Sequence, residues 1–248
     1  MTALSIYARE PELEQLRKLF HSRRSLLLHG PSGVGKTLLL KALAAEIPGC
    51  LYCRDSASAL AVFREVAAEL FAGKNERLRK ACSKNGFAEI KNKSAVSLRG
   101  IIAEALREKP YCIMLDHLKR PSQSFASTVR EVCSSTNTTL VAVARSAHME
   151  DVGFLLPMFA DRSDRFAVRN FDPPAARQFA LLTAQELKLE VSNREEAIEK
   201  IVRFSEGNPG AIRAMLEMAV RPKYLARQHL MLAPLYIDFR LGHGVNHG

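Results

Sequence analysis

The chain has 248 residues, 47% of them hydrophobic and 25% charged, enough to bury a sizeable core in one large or two small domains. No run of about 18 apolar residues occurs, which predicts no membrane span, and residues 1–10 lack the charged-then-apolar pattern of a signal peptide, which predicts a cytoplasmic protein. Lys and Arg number 36 against 26 Asp and Glu, a net +10 that suits an anionic partner, although solubility alone accounts for it too.

The first element in chain order is a helix over Arg9–Phe20, with Leu13, Leu16, Leu19 and Phe20 on one face. Ser25–His29 is a short apolar run ending at Gly30 and reads as a buried strand. A helix over Leu38–Ile47 is stopped by Pro48-Gly49. Cys50–Arg54 reads as a second strand. Its C-x-x-C pair sits at period-two positions facing opposite ways, so the five cysteines are expected to be buried free thiols rather than metal ligands. Ser58–Phe71 is an amphipathic helix. Residues 73–99 then hold Lys74, Arg77, Arg79, Lys80, Lys84, Lys91, Lys93 and Arg99 against only Glu76 and Glu89, with Asn85-Gly86 as a turn. Val96–Glu108 is helical and Tyr111–Asp116 is an apolar strand ending in a carboxylate. Ser122–Cys133 is helical, Thr138–Ala144 is a strand ending at Arg145, Met149–Ala160 reads as helical, and Arg165–Val168 is a last strand. Strands alternating with helices imply a mostly parallel sheet covered on both faces.

Composition shifts at Asp172-Pro173-Pro174, a helix start with an N-cap acceptor and proline in the first turn. Ser192-Asn193-Arg194-Glu195 fits a capping box for a helix that runs to Gly207. Asn208-Pro209 starts another. No strand pattern is evident between 172 and about 232, and Gly242–Gly248 reads as a loose tail.

The chemistry centres on Gly30-Pro31-Ser32-Gly33-Val34-Gly35-Lys36-Thr37, which fits G-x-x-x-x-G-K-[ST] between a strand and a helix that starts near Lys36 and carries Leu38 in its first turn. Such glycines let backbone N–H groups turn inward around phosphate oxygens, and the helix dipole favours the same anion. Lys36 supplies a point charge for the β- and γ-phosphates, and Thr37 offers a hydroxyl to Mg²⁺. Asp116 is the carboxylate expected beside that ion. His117 is read two ways, as a neutral group that polarises an attacking water or as a residue of the sheet edge. Arg145 is read as a sensor of the γ-phosphate or as a solvated arginine.

These motifs resemble an AAA+ ATPase of the signal-transducing (STAND) and replication-initiator-like branch over nearly the whole chain. Ile6-Tyr7-Ala8-Arg9-Glu10-Pro11-Glu12-Leu13 is similar to its hhGRExEL box, with Ala8 in place of glycine, and places Tyr7 near an adenine. Gly30–Thr37 and Tyr111–Asp116 resemble its Walker A and Walker B motifs, with His117 where a second acid is usual, and Arg145 resembles its sensor-1 residue. Gly207-Asn208-Pro209 resembles its GxP motif, which places Pro209 near the adenine and Arg213 as a sensor-2 candidate. The resemblance implies a three-layer α/β P-loop NTPase core with a mostly parallel sheet over residues 1–170 and a small all-α lid over 171–248. It implies ATP and Mg²⁺ as ligands and a nucleotide-dependent switch or helper acting on a partner macromolecule. It also implies arginine fingers, Arg162 or Arg165, supplied across a homo-oligomer, unless those residues pair with Asp161 or Asp164. Asn92-Lys93-Ser94-Ala95 lacks the aspartate that reads guanine, which favours ATP over GTP. The competing reading is an ATP-binding adaptor with little turnover. The segment 73–99 is open to nucleic acid or to protein, and no repeat sensor follows, so a separate effector protein is expected.

Overall fold

The computed structural model describes residues 7–82, 87–91 and 93–243, in two compact units. Of the described residues, those within 11–30 and 36–168 make one unit and those within 7–10, 31–35 and 169–243 the other. Among the described residues no helix is long and apolar enough to cross a membrane.

The first unit is α/β. In chain order it holds α1 (Glu10–His21), β1 (Leu26–His29), α2 (Lys36–Glu46), β2 (Cys50–Cys53), α3 (Ala59–Ala72), α4 (Glu76–Ala81), α5 (Phe87–Lys91), α6 (Ala95–Leu106), β3 (Cys112–Leu115), α7 (Gln123–Thr136), β4 (Thr139–Ala144), α8 (Met149–Val152) and β5 (Arg165–Ala167). Its strands form a parallel sheet in the order β2-β3-β4-β1-β5. Every residue of β3 is buried, and β4 is buried from Leu140 onward, as expected for central parallel strands covered on both faces. The helices begin where short polar side chains cap them: Ser58, Asn75, Ser94 and Ser122 each accept from a backbone N–H three residues on. Cys53, Cys112 and Cys133 are buried free thiols, whereas Cys50 and Cys82 are only half-buried.

The basic segment is more structured than its composition suggests, carrying the short helices α4 and α5. Asn75 anchors it. The side chain is buried, its Oδ1 accepts from Leu78 N (2.8 Å), and its Nδ2 donates to Ala105 O (3.0 Å) and Tyr111 Oη (2.9 Å). The expected turn at Asn85-Gly86 lies outside the described residues.

Met149–Ala160 is not one helix. A single α turn gives way at Gly153 to a 3₁₀ stretch, Gly153–Phe159. Gly153 sits at φ +55°, where a Cβ would lie 2.5 Å from Pro121 O.

The second unit holds α9 (Pro173–Glu186), α10 (Arg194–Phe204), α11 (Pro209–Ala219), a hairpin of β6 (Leu225–Ala226) and β7 (His229–Leu230), and α12 (Leu232–His243). It is helical apart from that short hairpin. Each strand has only two residues, and the turn uses Arg227 and Gln228 at φ +48° and +64° instead of the Asn-Gly that signals such a turn. The capping box is likewise absent. Asn193 precedes α10, but its side chain bonds both N and O of Leu230, while Ser192 Oγ donates to Gln228 O. Both side chains hold the hairpin, and Asn193 starts the helix only through its carbonyl, which accepts from Ala197 N (2.9 Å). Gly242 and His243 end α12, so that part of the expected tail is helical.

Asn75→Ala removes a helix cap and leaves Ala105 O and Tyr111 Oη short of a donor. We expect a loss of about 2–3 kcal/mol in urea unfolding.

Candidate functional site

In the α/β unit, strand order does the positioning. β4 lies between β1 and β3, so the residues that follow these three strands emerge along one edge of the sheet. Gly30 N–H donates to Arg145 O (3.2 Å), tying the end of β1 to the end of β4. Lys36 opens α2, and its ammonium donates to Gly30 O (2.7 Å). Burial, reinforced by the positive charge of Arg145, lowers the Lys36 pKa to about 8 against the opposing pull of Asp116 and Asp151. A phosphate placed there would favour the charged amine. Asp116 and Arg145 thus both act electrostatically on Lys36.

Asp116 is fully buried, and its carboxylate is held by several donors. Oδ1 accepts from Thr37 Oγ1 (3.2 Å) and from the backbone N–H of His117 (3.0 Å). Oδ2 accepts from Tyr52 Oη (2.8 Å), and burial together with this carboxylate pushes the Tyr52 phenol well above its usual range. Tyr52 was not anticipated. The signal was a polar-tipped aromatic in the strand beside β3, where Tyr52 pairs with Met114. Thr37 and Asp116 present hard oxygen donors at the separation that adjacent ligands of an octahedral ion span, so this pair fits Mg²⁺. Among the described residues no group of three His, Cys, Asp or Glu could hold a metal, so phosphate oxygens and water would complete the shell. His117 lies at φ +55°, its side chain 64% exposed and its Nε2 3.5 Å from Asp116 Oδ2.

Residues 31–35 of the phosphate loop group with the helical unit, where three successive carbonyls are taken by donors. Asn208 Nδ2 donates to Ser32 O (2.9 Å), Gly210 N to Gly33 O (3.0 Å) and an Arg9 guanidinium nitrogen to Val34 O (2.9 Å). Arg9 is buried, also donates to Arg169 O (2.8 Å), and stacks on Phe171 at 4.4 Å. Gly33 and Gly210 meet backbone to backbone. A Cβ on Gly210 would lie 2.8 Å from Gly33 Cα, and one on Gly33 would lie 2.7 Å from Asn208 Oδ1. That oxygen also caps α11 by accepting from Ala211 N, and Pro209 occupies the first turn. Arg9, Asn208 and Gly210 were not assigned site roles from sequence; Asn208 and Gly210 flank the proline that was.

The other expected residues are dispersed. Tyr7 packs on Phe171 and Phe179 with ring centroids at 6.4 and 6.2 Å. Arg213 is engaged by Glu186 (3.2 Å) and Glu217 (2.9 Å). Asp161 and Asp164 are both bonded by Arg24, at 3.1 and 2.8 Å, leaving Arg162 exposed in its 3₁₀ turn. Arg165 is half-buried, with Nε donating to Phe159 O (2.8 Å). Leu38 is 40% exposed beside Thr37.

Gly210→Ala should push the loop off its Gly33 contact. We expect nucleotide affinity to fall about tenfold or more, equivalent to about 1.4 kcal/mol, with unchanged helix content. Fluorescent-nucleotide titration and far-UV circular dichroism check this.

The fold has solved relatives at low sequence identity. A Walker-type ATPase of Pyrococcus abyssi superposes with a TM-score of 0.64 at 20% identity, covering 97% of this chain and 74% of its own. The Cdc6p protein of Pyrobaculum aerophilum gives 0.59 at 18% identity over 90% of this chain and 64% of its own. The Orc1 protein of Aeropyrum pernix, solved in complex with DNA, gives 0.56 at 16% over 95% and 65%. The chain thus spans about two thirds of those two proteins. No curated protein matches the sequence at a significant level. The sequence profile described as "AAA ATPase domain" matches residues 5–145, more than half of the protein, and the chain therefore belongs to the AAA ATPase domain family.

Proposed function

We propose that the protein binds ATP with Mg²⁺ and hydrolyses it as a nucleotide-dependent switch or helper acting on a partner macromolecule. The convergence of Lys36, Thr37, Asp116 and Arg145 on one sheet edge carries this reading. Lys36 offsets charge on the β- and γ-phosphates, and Arg145 stabilises charge developing at the γ-phosphate. Thr37 and Asp116 would hold the magnesium ion, which when bound neutralises phosphate oxygens. Tyr52 keeps Asp116 Oδ2 occupied, so that Oδ1 faces Thr37. The switch follows from the grip on residues 32–34: a ligand that reshapes the loop strains bonds to Arg9, Asn208 and Gly210, and so biases the helical unit.

Partner contact is proposed on two surfaces. Arg162, left unclaimed by Asp161 and Asp164, is the better placed finger for a neighbouring copy. In the basic segment Arg77 pairs with Glu104, Arg99 with Glu131, and Phe87 packs on Phe71 at 5.2 Å. Lys74, Arg79 and Lys80 are exposed, which supports a contact with an anionic partner through charge and not through base stacking.

Lys36→Ala should weaken ATP binding on the order of 100-fold, whereas Asp116→Asn should retain nucleotide and lose Mg²⁺-dependent turnover. Tight ATP binding by Lys36→Ala would sink the reading, and wild-type binding without turnover would select the adaptor. If Arg162 acts across subunits, mass in solution should rise on adding ATP, and Arg162→Ala should assemble yet fail to hydrolyse. A constant monomer removes the finger.

A further inference from the structure

The two carboxylate oxygens of Asp116 are unlike. Oδ1 lies 3.2 Å from Thr37 Oγ1 and also accepts from the backbone N–H of His117 (3.0 Å). Oδ2 accepts from Tyr52 Oη (2.8 Å). A neutral phenol has one proton to give, and Tyr52 gives it here. The His117 imidazole stands 3.5 Å from Oδ2, too far for a good hydrogen bond and on the oxygen away from Thr37, so it is no ligand for an ion at Oδ1. The phenol is firmly placed. Tyr52 pairs in register with Met114, so it faces the same side of the sheet as Met114 and Asp116. Asp116 N donates to Cys53 O (3.0 Å) and Ser56 Oγ donates to Asp116 O (2.9 Å), which clamps the backbone of the carboxylate to the segment that carries Tyr52. From α2, Lys41, one turn on from Thr37, sets its ammonium 5.7 Å from the centre of the Tyr52 ring. Asp116 itself is fully buried, which leaves its carboxylate little room to turn.

A carboxylate held in this way has one oxygen to offer. Resting on the ATP–magnesium reading above, we propose that Tyr52 is a positioning residue that confines Asp116 to coordination through Oδ1 alone and so selects Mg²⁺ over Ca²⁺. The two ions ask different things of a carboxylate. Mg²⁺ demands near-ideal octahedral geometry at ~2.0–2.1 Å, in which neighbouring donors lie about 3 Å apart, and it keeps several waters. One aspartate oxygen and the Thr37 hydroxyl, 3.2 Å apart, fit two such corners. Ca²⁺ takes roughly 6–8 oxygens at ~2.3–2.6 Å and readily uses both oxygens of one carboxylate. Tyr52 denies it the second. The Thr37 hydrogen bond to Oδ1 has to be given up for those oxygens to serve an ion, whereas the Tyr52 bond lies on Oδ2 and does not.

The experiment titrates the full chain and a fluorescent ATP analogue with Mg²⁺ and with Ca²⁺. It reads the ratio of the two metal-dependent binding affinities, corrected for ion binding to the free nucleotide, and needs no turnover. Tyr52→Phe keeps the ring and removes the proton, and should lower the Mg²⁺-over-Ca²⁺ ratio roughly 10-fold or more. The same substitution in a His117→Ala background, where no imidazole can move in to replace the phenol, should lower it at least as far. A wild type with no Mg²⁺ preference, an equal loss of affinity for both ions, or a ratio unchanged in both backgrounds overturns the assignment to Tyr52 and leaves the site reading standing. Failure of wild type to bind ATP, with or without metal, overturns the assignment together with the site reading beneath it.

Discussion

A phosphate loop has two polar sides. For its N–H groups to converge on an anion, its carbonyls must point away, and each then needs a donor of its own. Here Ser32, Gly33 and Val34 find theirs in Asn208, Gly210 and Arg9, all within one compact unit. The contact is close enough to require glycine on both backbones, at Gly33 and Gly210. This grip makes the loop part of the helical unit in packing terms although it follows β1 in sequence. In the switch we propose, the same grip is the route from ligand to helices, since Arg9, Asn208 and Gly210 are bonded to the loop backbone.

A second constraint is the buried carboxylate of Asp116. A charge without exposure is tolerable only when hydrogen-bonded, and Thr37, Tyr52 and the His117 backbone all donate to it. Each donor comes from a different part of the fold: the first turn of α2, the strand beside β3, and the turn after β3. Lys36 shows the opposite arrangement. It is partly buried beside Arg145, so its charge is disfavoured until an anion arrives, and binding there is coupled to the charge balance of the whole edge.

The basic segment shows how composition overstates a surface. Eight cations against two acids within residues 73–99 suggest a broad anionic footprint. In the structure Glu104 and Glu131, outside that window, pair with Arg77 and Arg99, and Glu108 accepts from the first N–H groups of α4. Local charge counts miss acids brought in by folding, and a surface pair of this kind contributes little stability while removing much of the local field.

By itself the sequence determined the parts whose signals are local. These are the glycine-lysine-threonine loop between strand and helix, the apolar strand ending at Asp116, the cap at Asp172 and the helix start at Asn208-Pro209. Each rests on side chains within a few residues of the backbone they serve, which is why spacing alone revealed them. The misses share a different cause. Tyr52 reaches Asp116 across 64 positions, Arg9 reaches Arg169 O across 160, and Asn193 leaves its own helix to hold a hairpin 37 residues away. Strand order, backbone strain at His117 and the meeting of Gly33 with Gly210 exist only once distant segments pack. Only the tertiary structure decided them, because a hydrogen bond between far-separated residues leaves no periodic trace in the chain.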